Sequence, residues 1–186
     1  MPYLSLNDQT GFLQIKQWVI HNKIWKVCFF THVFTSIFLL LAGFTQFSDQ
    51  LLKKNKKVHR LAGYTYIIIL LGVSAPAGFV MSLYANGGIV SRVAFTTLTV
   101  LWFFFTYKAF AKARKKDFIA HRNYMIRSYA LTLSALTLRA WKFGIVFLFR
   151  PNPMDVYMMV AWLGWVPNLI LAEYIIRKYK KRVYVE

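Results

Sequence analysis

Three histidines are the residues of this chain best placed to do chemistry. His59 and His121 each open an apolar stretch in the same way, within "VHRLAGYTY" and "AHRNYMIRSY". Neutral imidazole is a strong axial ligand, and haem supplies redox chemistry that side chains lack. Two histidines at matched depth on neighbouring parallel helices would give the haem iron of a b-type haem both axial ligands. Gly63 follows His59 by one turn on the same face and would leave room for the flat macrocycle. Arg60 and Arg122, beside the histidines, would hold the propionates, because Arg pairs with carboxylates bidentately. His32 lies inside another apolar stretch, about 10 Å from its boundary at the helical rise per residue. His21 completes the set of four histidines but falls in the N-terminal segment. One haem is therefore expected, and a second only if that segment folds back. A quinone needs hydrogen-bonding groups alone, so His32 and Arg139 would serve it without haem. No carboxylate stands near a histidine in a ligand pattern, which argues against a non-haem metal.

Arg139 and Lys142 pose a second question. They sit in "AHRNYMIRSYALTLSALTLRAWKFG", residues 120–144, which is apolar enough to cross a bilayer and contains no acidic residue. A cation at the bilayer centre costs about 2.5–3.5 kcal/mol on insertion scales. The pair needs a water-filled cavity, backbone carbonyls, a lipid phosphate or an anionic ligand, and snorkelling accounts for Lys142 more readily than for Arg139. His121, Met125, Ser128, Thr132, Ala135, Arg139 and Lys142 recur at steps of four and three, the spacing of one helix face. That stripe is expected to point into the bundle, with Arg139 and Lys142 sharing a layer with His32 and forming part of a cofactor or anion site. Arg127, in the same stretch, is expected to pair with Glu173 as a structural ion pair.

The elements that would position these residues are transmembrane helices. The chain has 186 residues, 58% of them hydrophobic, above the globular norm of about 45–50%. The excess is gathered in blocks at 27–47, 61–85, 89–111, 124–149 and, more polar, 156–176, each near the roughly 20 residues a bilayer requires. The expected fold is all-α: one polytopic bundle of about five spans over residues 26–177. A basic tail follows at 178–186, and an amphipathic segment precedes the bundle at 1–25. In "TGFLQIKQWVIHNKIW" Phe12, Ile15, Trp18 and Val19 oppose Gln14, Lys16 and Gln17. The segment is expected to lie in the membrane interface with Trp18 and Trp25 at headgroup depth, or to extend the first span. The first 25 residues lack the basic start, apolar run and cleavage site of a signal peptide.

The net charge of +18 does not indicate nucleic acid, because the cations cluster in short loops between apolar blocks. Sixteen of the 24 Lys and Arg residues fall at 53–60, 108–122 and 177–182, and five fall on the other side. The positive-inside rule then puts the N-terminus outside and the C-terminus in the cytoplasm. "ANGG" at 85–88 and "RPNPMD" at 150–155 are tight turns. Pro76 should kink the second span and free a carbonyl. The single cysteine, Cys28, excludes an internal disulfide and a multi-cysteine metal site.

The series His32, Gly43, Gln46 and Phe47, then "HRLAGYTY" at 59–66, then "HRNYMIRSYALT" at 121–132 with Leu138-Arg139, resembles the bacterial membrane-protein family called domain of unknown function 2306. The likeness covers about residues 25–150. It implies a polytopic inner-membrane protein and brings no activity with it. The histidine-bearing bundle also looks loosely like the b-type haem membrane cytochromes, but it lacks paired histidines at both depths.

Three functions follow from these residues. The first is a redox protein binding haem b or quinone between helices. The second is a non-enzymatic subunit or assembly factor of a larger membrane complex, associated with other subunits as well as with the lipid bilayer. The third is a small anion- or lipid-binding or transport protein, with Pro76 and Pro167-Asn168 marking broken helices. No Ser-His-Asp or Cys-His arrangement supports a hydrolase, and no glycine-rich phosphate loop is present.

Overall fold

The computed structural model describes residues 11–47 and 54–183. Lys53, the first ten residues of the N-terminal segment and the side chains of Lys180, Lys181 and Arg182 lie outside the described residues, as do residues 184–186. The described chain is all-helical. Helix α1 spans Lys23–Gln46, α2 Lys56–Leu83, α3 Gly88–Arg114, α4 Phe118–Thr132, α5 Ser134–Phe149, α6 Pro153–Leu163 and α7 Val166–Val183. Helices α1, α2 and α3 are each long and apolar enough to cross a membrane, as is the run Pro153–Tyr179 through α6 and α7. The pair α4–α5, bent by 40° at Leu133, is long and apolar enough to be a fifth when taken as one broken span.

Local chemistry sets the ends. Asn22 accepts from the Trp25 N–H and Asn55 from the Val58 N–H, so each caps orphan amides at a helix start. Asp117 does the same for Ala120 and also takes Lys112 at 3.0 Å. The Lys112 hydrogen bond holds the Asp117 carboxyl below its ordinary range. Gly87, at φ +78°, turns the chain into α3. A Cβ there would lie 2.7 Å from Met158 and 2.6 Å from Ser91 Oγ. Arg150 ends α5 in the left-handed region, and Pro153 starts α6 at its first turn.

Pro76 cannot donate to the preceding turn. Helix α2 absorbs the missing bond in a π turn over Leu70–Ser74 and continues as one span. The main core gathers Leu39, Tyr66, Leu70, Trp102, Met125, Tyr129, Leu131 and Trp165. Helix α3 packs along α4 and the far half of α2, α4 lies against α7, and α5 lies against α6.

The described part of the N-terminal segment, from Gly11, does not extend α1 as one helix, and part of it is buried. Gly11–Lys16 forms a short 3-10 helix, and the chain turns before α1 begins at Lys23. Leu13, Val19, Ile20, Trp25 and Phe29 form a second small core that caps the bundle against Met81 and Tyr84. Trp18 is exposed, whereas Trp25 is 1% exposed and belongs to this small core. Lys16, expected on a polar face, is 1% exposed. Its ammonium donates to the Tyr84 carbonyl and to Asn86 Oδ1, and lies 5.2–5.9 Å from the ring centroids of Phe12, Trp18 and Trp25. The alternation of the segment is that of an α-helix, whereas a 3-10 turn rotates each residue differently and brings Lys16 inward. Burial, with Arg92 adding to it, pushes the Lys16 pKa down to about 8.

Candidate functional site

A layer of polar side chains crosses the middle of the bundle. Tyr66, on α2 and fully buried, carries its hydroxyl across to α4, 2.9 Å from Ser128 Oγ and 2.6 Å from Thr132 Oγ1. From α3, Trp102 Nε1 donates to Thr132 Oγ1 at 3.0 Å, and Thr106 Oγ1 lies 2.6 Å from Ser128 Oγ. Thr106 also reaches the Trp102 carbonyl at 2.7 Å, and Thr132 the Ser128 carbonyl at 3.1 Å. Every hydroxyl here has a partner, which lets the cluster sit in an apolar bundle without desolvation cost. The proton order can vary: Thr106 donates to the Trp102 carbonyl, with Ser128 donating to Thr106, or Thr106 donates to Ser128, with Ser128 donating to Tyr66.

His32 joins this layer from α1. Its ring meets Trp102 edge-on at 6.1 Å between centroids, and Nδ1 lies 2.9 Å from the Ser74 carbonyl at the end of the π turn. A carbonyl only accepts, so Nδ1 carries the proton and Nε2 the lone pair. Gly78 makes room for the ring, because a Cβ there would fall 3.1 Å from the imidazole.

His59 and His121 occupy the basic end of the same seam. His59 precedes Tyr66 by seven residues, and His121 precedes Ser128 by seven. Seven residues are close to two helical turns, so each histidine lies on the same face as its partner in the layer, about 10 Å further toward the basic end. The hydrogen bond between Tyr66 and Ser128 holds α2 and α4 in register, and His59 and His121 lie at the same end of the two helices. His121 Nδ1 donates to the Ala109 carbonyl at 2.8 Å, which leaves its Nε2 lone pair free. Histidines that ligate metals are oriented by this kind of outer hydrogen bond. His59 Nδ1 is buried with no hydrogen-bond partner. Arg60 and Arg122 are both exposed beside the pair, and the Arg122 guanidinium lies 4.8 Å from the Tyr179 ring centroid.

The family described as "predicted membrane protein (DUF2306)" matches residues 29–176. The chain belongs to this family. It is an integral membrane protein, and the matched residues contain α2 to α6 whole, most of α1 and all three of the histidines discussed above. No curated protein matches the chain, and no solved structure does.

Other residues singled out in the sequence fall elsewhere. The face of Gly63 is not open: a Cβ there would lie 3.0 Å from Gln46 Oε1, and Gln46 Nε2 donates to the His59 carbonyl at 3.2 Å. Arg127 and Glu173 meet, with Nη2 2.9 Å from Oε2 and Nε bonded to Oε1. The Arg127 guanidinium also faces the Tyr124 ring at 5.4 Å.

The expectation that Arg139 and Lys142 join His32 in an inner layer is corrected. Both are exposed, α5 has no buried residue, and its neighbours are α6 and α4. The stripe runs inward as far as Thr132. The bend at Leu133, together with the drift of a 3.5-residue spacing on a 3.6-residue helix, then swings it outward. Neither cation therefore belongs to the seam that holds the histidines.

Trp102 and Thr106 carry no motif in the sequence. They lie in the third block, where Thr99, Trp102, Thr106 and Ala109 follow steps of three, four and three and are all buried. Gly43, named in the sequence beside His32, is a close contact between helices: a Cβ there would overlap the Tyr129 ring, whose hydroxyl donates to the Leu40 carbonyl at 3.0 Å and ties α4 to α1.

Proposed function

We propose that this chain is a redox protein of the bacterial inner membrane in which the α2–α4 cleft holds haem b between His59 and His121. The basic end, with the C-terminus, faces the cytoplasm and the N-terminal cap faces outside. One observation carries the reading. His121 has its Nδ1 proton fixed on the Ala109 carbonyl, which leaves Nε2 bare, and His59, at the same end of the bundle, has a buried, unbonded ring nitrogen. Two such imidazoles suit an iron that takes two neutral nitrogen ligands. A flat ring on the Gly63 face requires the Gln46 side chain to rotate away. The contacting atom is the far end of a flexible side chain, and the rotation gives up the Gln46 hydrogen bond to the His59 carbonyl. When bound, haem supplies the one-electron chemistry that these side chains lack.

The chain's own contributions are then specific. The Ala109 carbonyl keeps the His121 tautomer. Exposed Arg60 and Arg122 offer bidentate donors to carboxylates at the membrane edge. The Tyr66, Ser128, Thr132 and Trp102 cluster stands between the histidine pair and the His32 imidazole, and each of its polar side chains has a partner. His32 presents an acceptor at Nε2, so it would take a hydrogen bond from a quinol hydroxyl, not donate one to a quinone carbonyl. That observation favours the reduced form as the outer partner in a quinone-linked version of the same reading.

The test is colour. Protein purified in mild detergent from haem-supplemented cells should show a Soret band that shifts on dithionite reduction. H59A and H121A should each lose the band while H32A keeps it. Wild-type protein that is colourless and iron-free under these conditions would overturn the proposal.

A further inference from the structure

Helix α5 differs from every other span in burying none of its side chains. Its outward face carries Arg139, Phe143 and Phe147 at steps of four, hence along one stripe. Phe143 and Phe147 are 75% and 73% exposed and stack on each other with their planes 10° apart. Arg139 stands eleven residues before the α5–α6 turn at Arg150, or about 16 Å of helix. The Arg139 guanidinium bonds the Ala135 carbonyl, one turn back toward α4, and so points away from that turn. It is not reaching for the nearer membrane surface.

No described carboxylate of this chain is free to meet it. Asp117 holds Lys112 and Glu173 holds Arg127. Asp155 sits in the first turn of α6, exposed, with Asn152 as its hydrogen-bond partner, about 16 Å along the axis from Arg139. The remaining acids, Asp8, Asp49 and Glu186, lie outside the apolar blocks. A second copy of the chain therefore has no described carboxylate to offer at the depth of Arg139. An aromatic stripe around an unbalanced guanidinium calls for a partner that is apolar and acidic at once.

We infer that the outward face of α5 docks a transmembrane helix of another protein, one that carries an Asp or Glu within its span opposite Arg139. The carboxylate neutralises the guanidinium with two parallel hydrogen bonds. Phe143 and Phe147 pack against the partner's apolar residues on either side of that pair. The inference stands apart from the histidine cleft, since α5 contributes nothing to it.

The experiment places a photo-crosslinking phenylalanine analogue at position 143 of the full-length protein in native membranes and identifies the adducts by mass spectrometry. The expected adduct is a membrane protein with an acidic residue in the crosslinked helix. R139E and R139Q should each cut its yield at least tenfold. Replacing the partner's acid with Arg should restore the R139E yield. Both variants should fold, because no side chain of α5 is buried, and unchanged unfolding temperature in detergent checks this. Adducts to lipid alone, to a second copy alone, to a helix without a carboxylate, or in undiminished yield from R139Q would overturn the inference.

Discussion

Thr132→Val should destabilise the protein more than Tyr66→Phe, although both remove one hydroxyl from the same cluster. Tyr66→Phe removes two contacts, at 2.9 and 2.6 Å, but only one donor proton, so the cluster makes one hydrogen bond fewer. Every remaining donor still has a partner: Ser128 donates to Thr106, Thr106 to the Trp102 carbonyl, Thr132 to the Ser128 carbonyl, and Trp102 Nε1 to Thr132. Side-chain hydrogen bonds inside membrane proteins average about 0.6 kcal/mol, so the expected cost is about 1 kcal/mol. Thr132→Val is nearly isosteric but strips Trp102 Nε1 of its acceptor in a site that Trp102 shares only 6% with solvent. An orphaned buried donor costs about 1–3 kcal/mol beyond the lost bonds, so the expected total is about 2–4 kcal/mol. At roughly 2–4 °C per kcal/mol for a chain of this size, the unfolding temperatures should fall by about 2–4 °C for Tyr66→Phe and about 5–15 °C for Thr132→Val. Differential scanning in detergent, with tryptophan emission followed in parallel, reads both. Equal shifts, or a larger one for Tyr66→Phe, would refute the assignment of Thr132 as the acceptor that Trp102 depends on.

Three further outcomes are expected. Gly43→Ala should cost about 1–3 kcal/mol as an overpacked helix contact, because the added carbon would overlap the Tyr129 ring, and a thermal melt checks it. Glu173→Gln should cost about 1 kcal/mol, toward the modest end for a partly exposed pair, since Glu173 is 41% exposed and Arg127 retains Tyr124 beneath it; equal stability of mutant and wild type would remove the pair from the account. The cap should hold more firmly as pH rises from about 8 to 10.5. Lys16 has a folded pKa of about 8 against an ordinary 10.5, so the unfolded segment binds more protons across that window, and stability rises with pH there. The cost of charging Lys16 is fully present below pH 8 and relieved above 10.5. Protease cutting within residues 11–20 should slow over that range in wild type and stay flat in Lys16→Met.

The parts of this fold that were legible are those written in block composition. Five apolar stretches become four helices long enough to cross a membrane and one bent pair, and Gly87-Gly88 and Pro151-Pro153 mark the two tight turns because φ is restricted or freed there by residue type. Arg127 and Glu173 were readable as partners because antiparallel neighbours at matched depth leave few choices. The bend at Leu133 was not readable. No glycine or proline stands there, and the break is held by tertiary bonds: Thr137 reaches the Gly164 carbonyl at 2.5 Å, and Asn168 donates to the Ala130 carbonyl at 3.1 Å. A single helix face extrapolated through that bend sends Arg139 inward, which is why its placement came out reversed. Lys16 was misplaced for a related reason, since a period of 3.6 was applied to a 3-10 turn. The histidine seam was half visible. The repeated His-Arg openings gave His59 and His121, but the register that aligns them depends on Tyr66 meeting Ser128, a contact between two chain segments that no local pattern encodes.

The most direct test of the central claim is electron paramagnetic resonance of the oxidised, haem-supplemented protein. The account predicts a low-spin ferric signal of the kind two imidazoles produce, absent in H59A and in H121A and intact in H32A. A high-spin signal in wild type, or a low-spin signal that survives loss of His121, would contradict it.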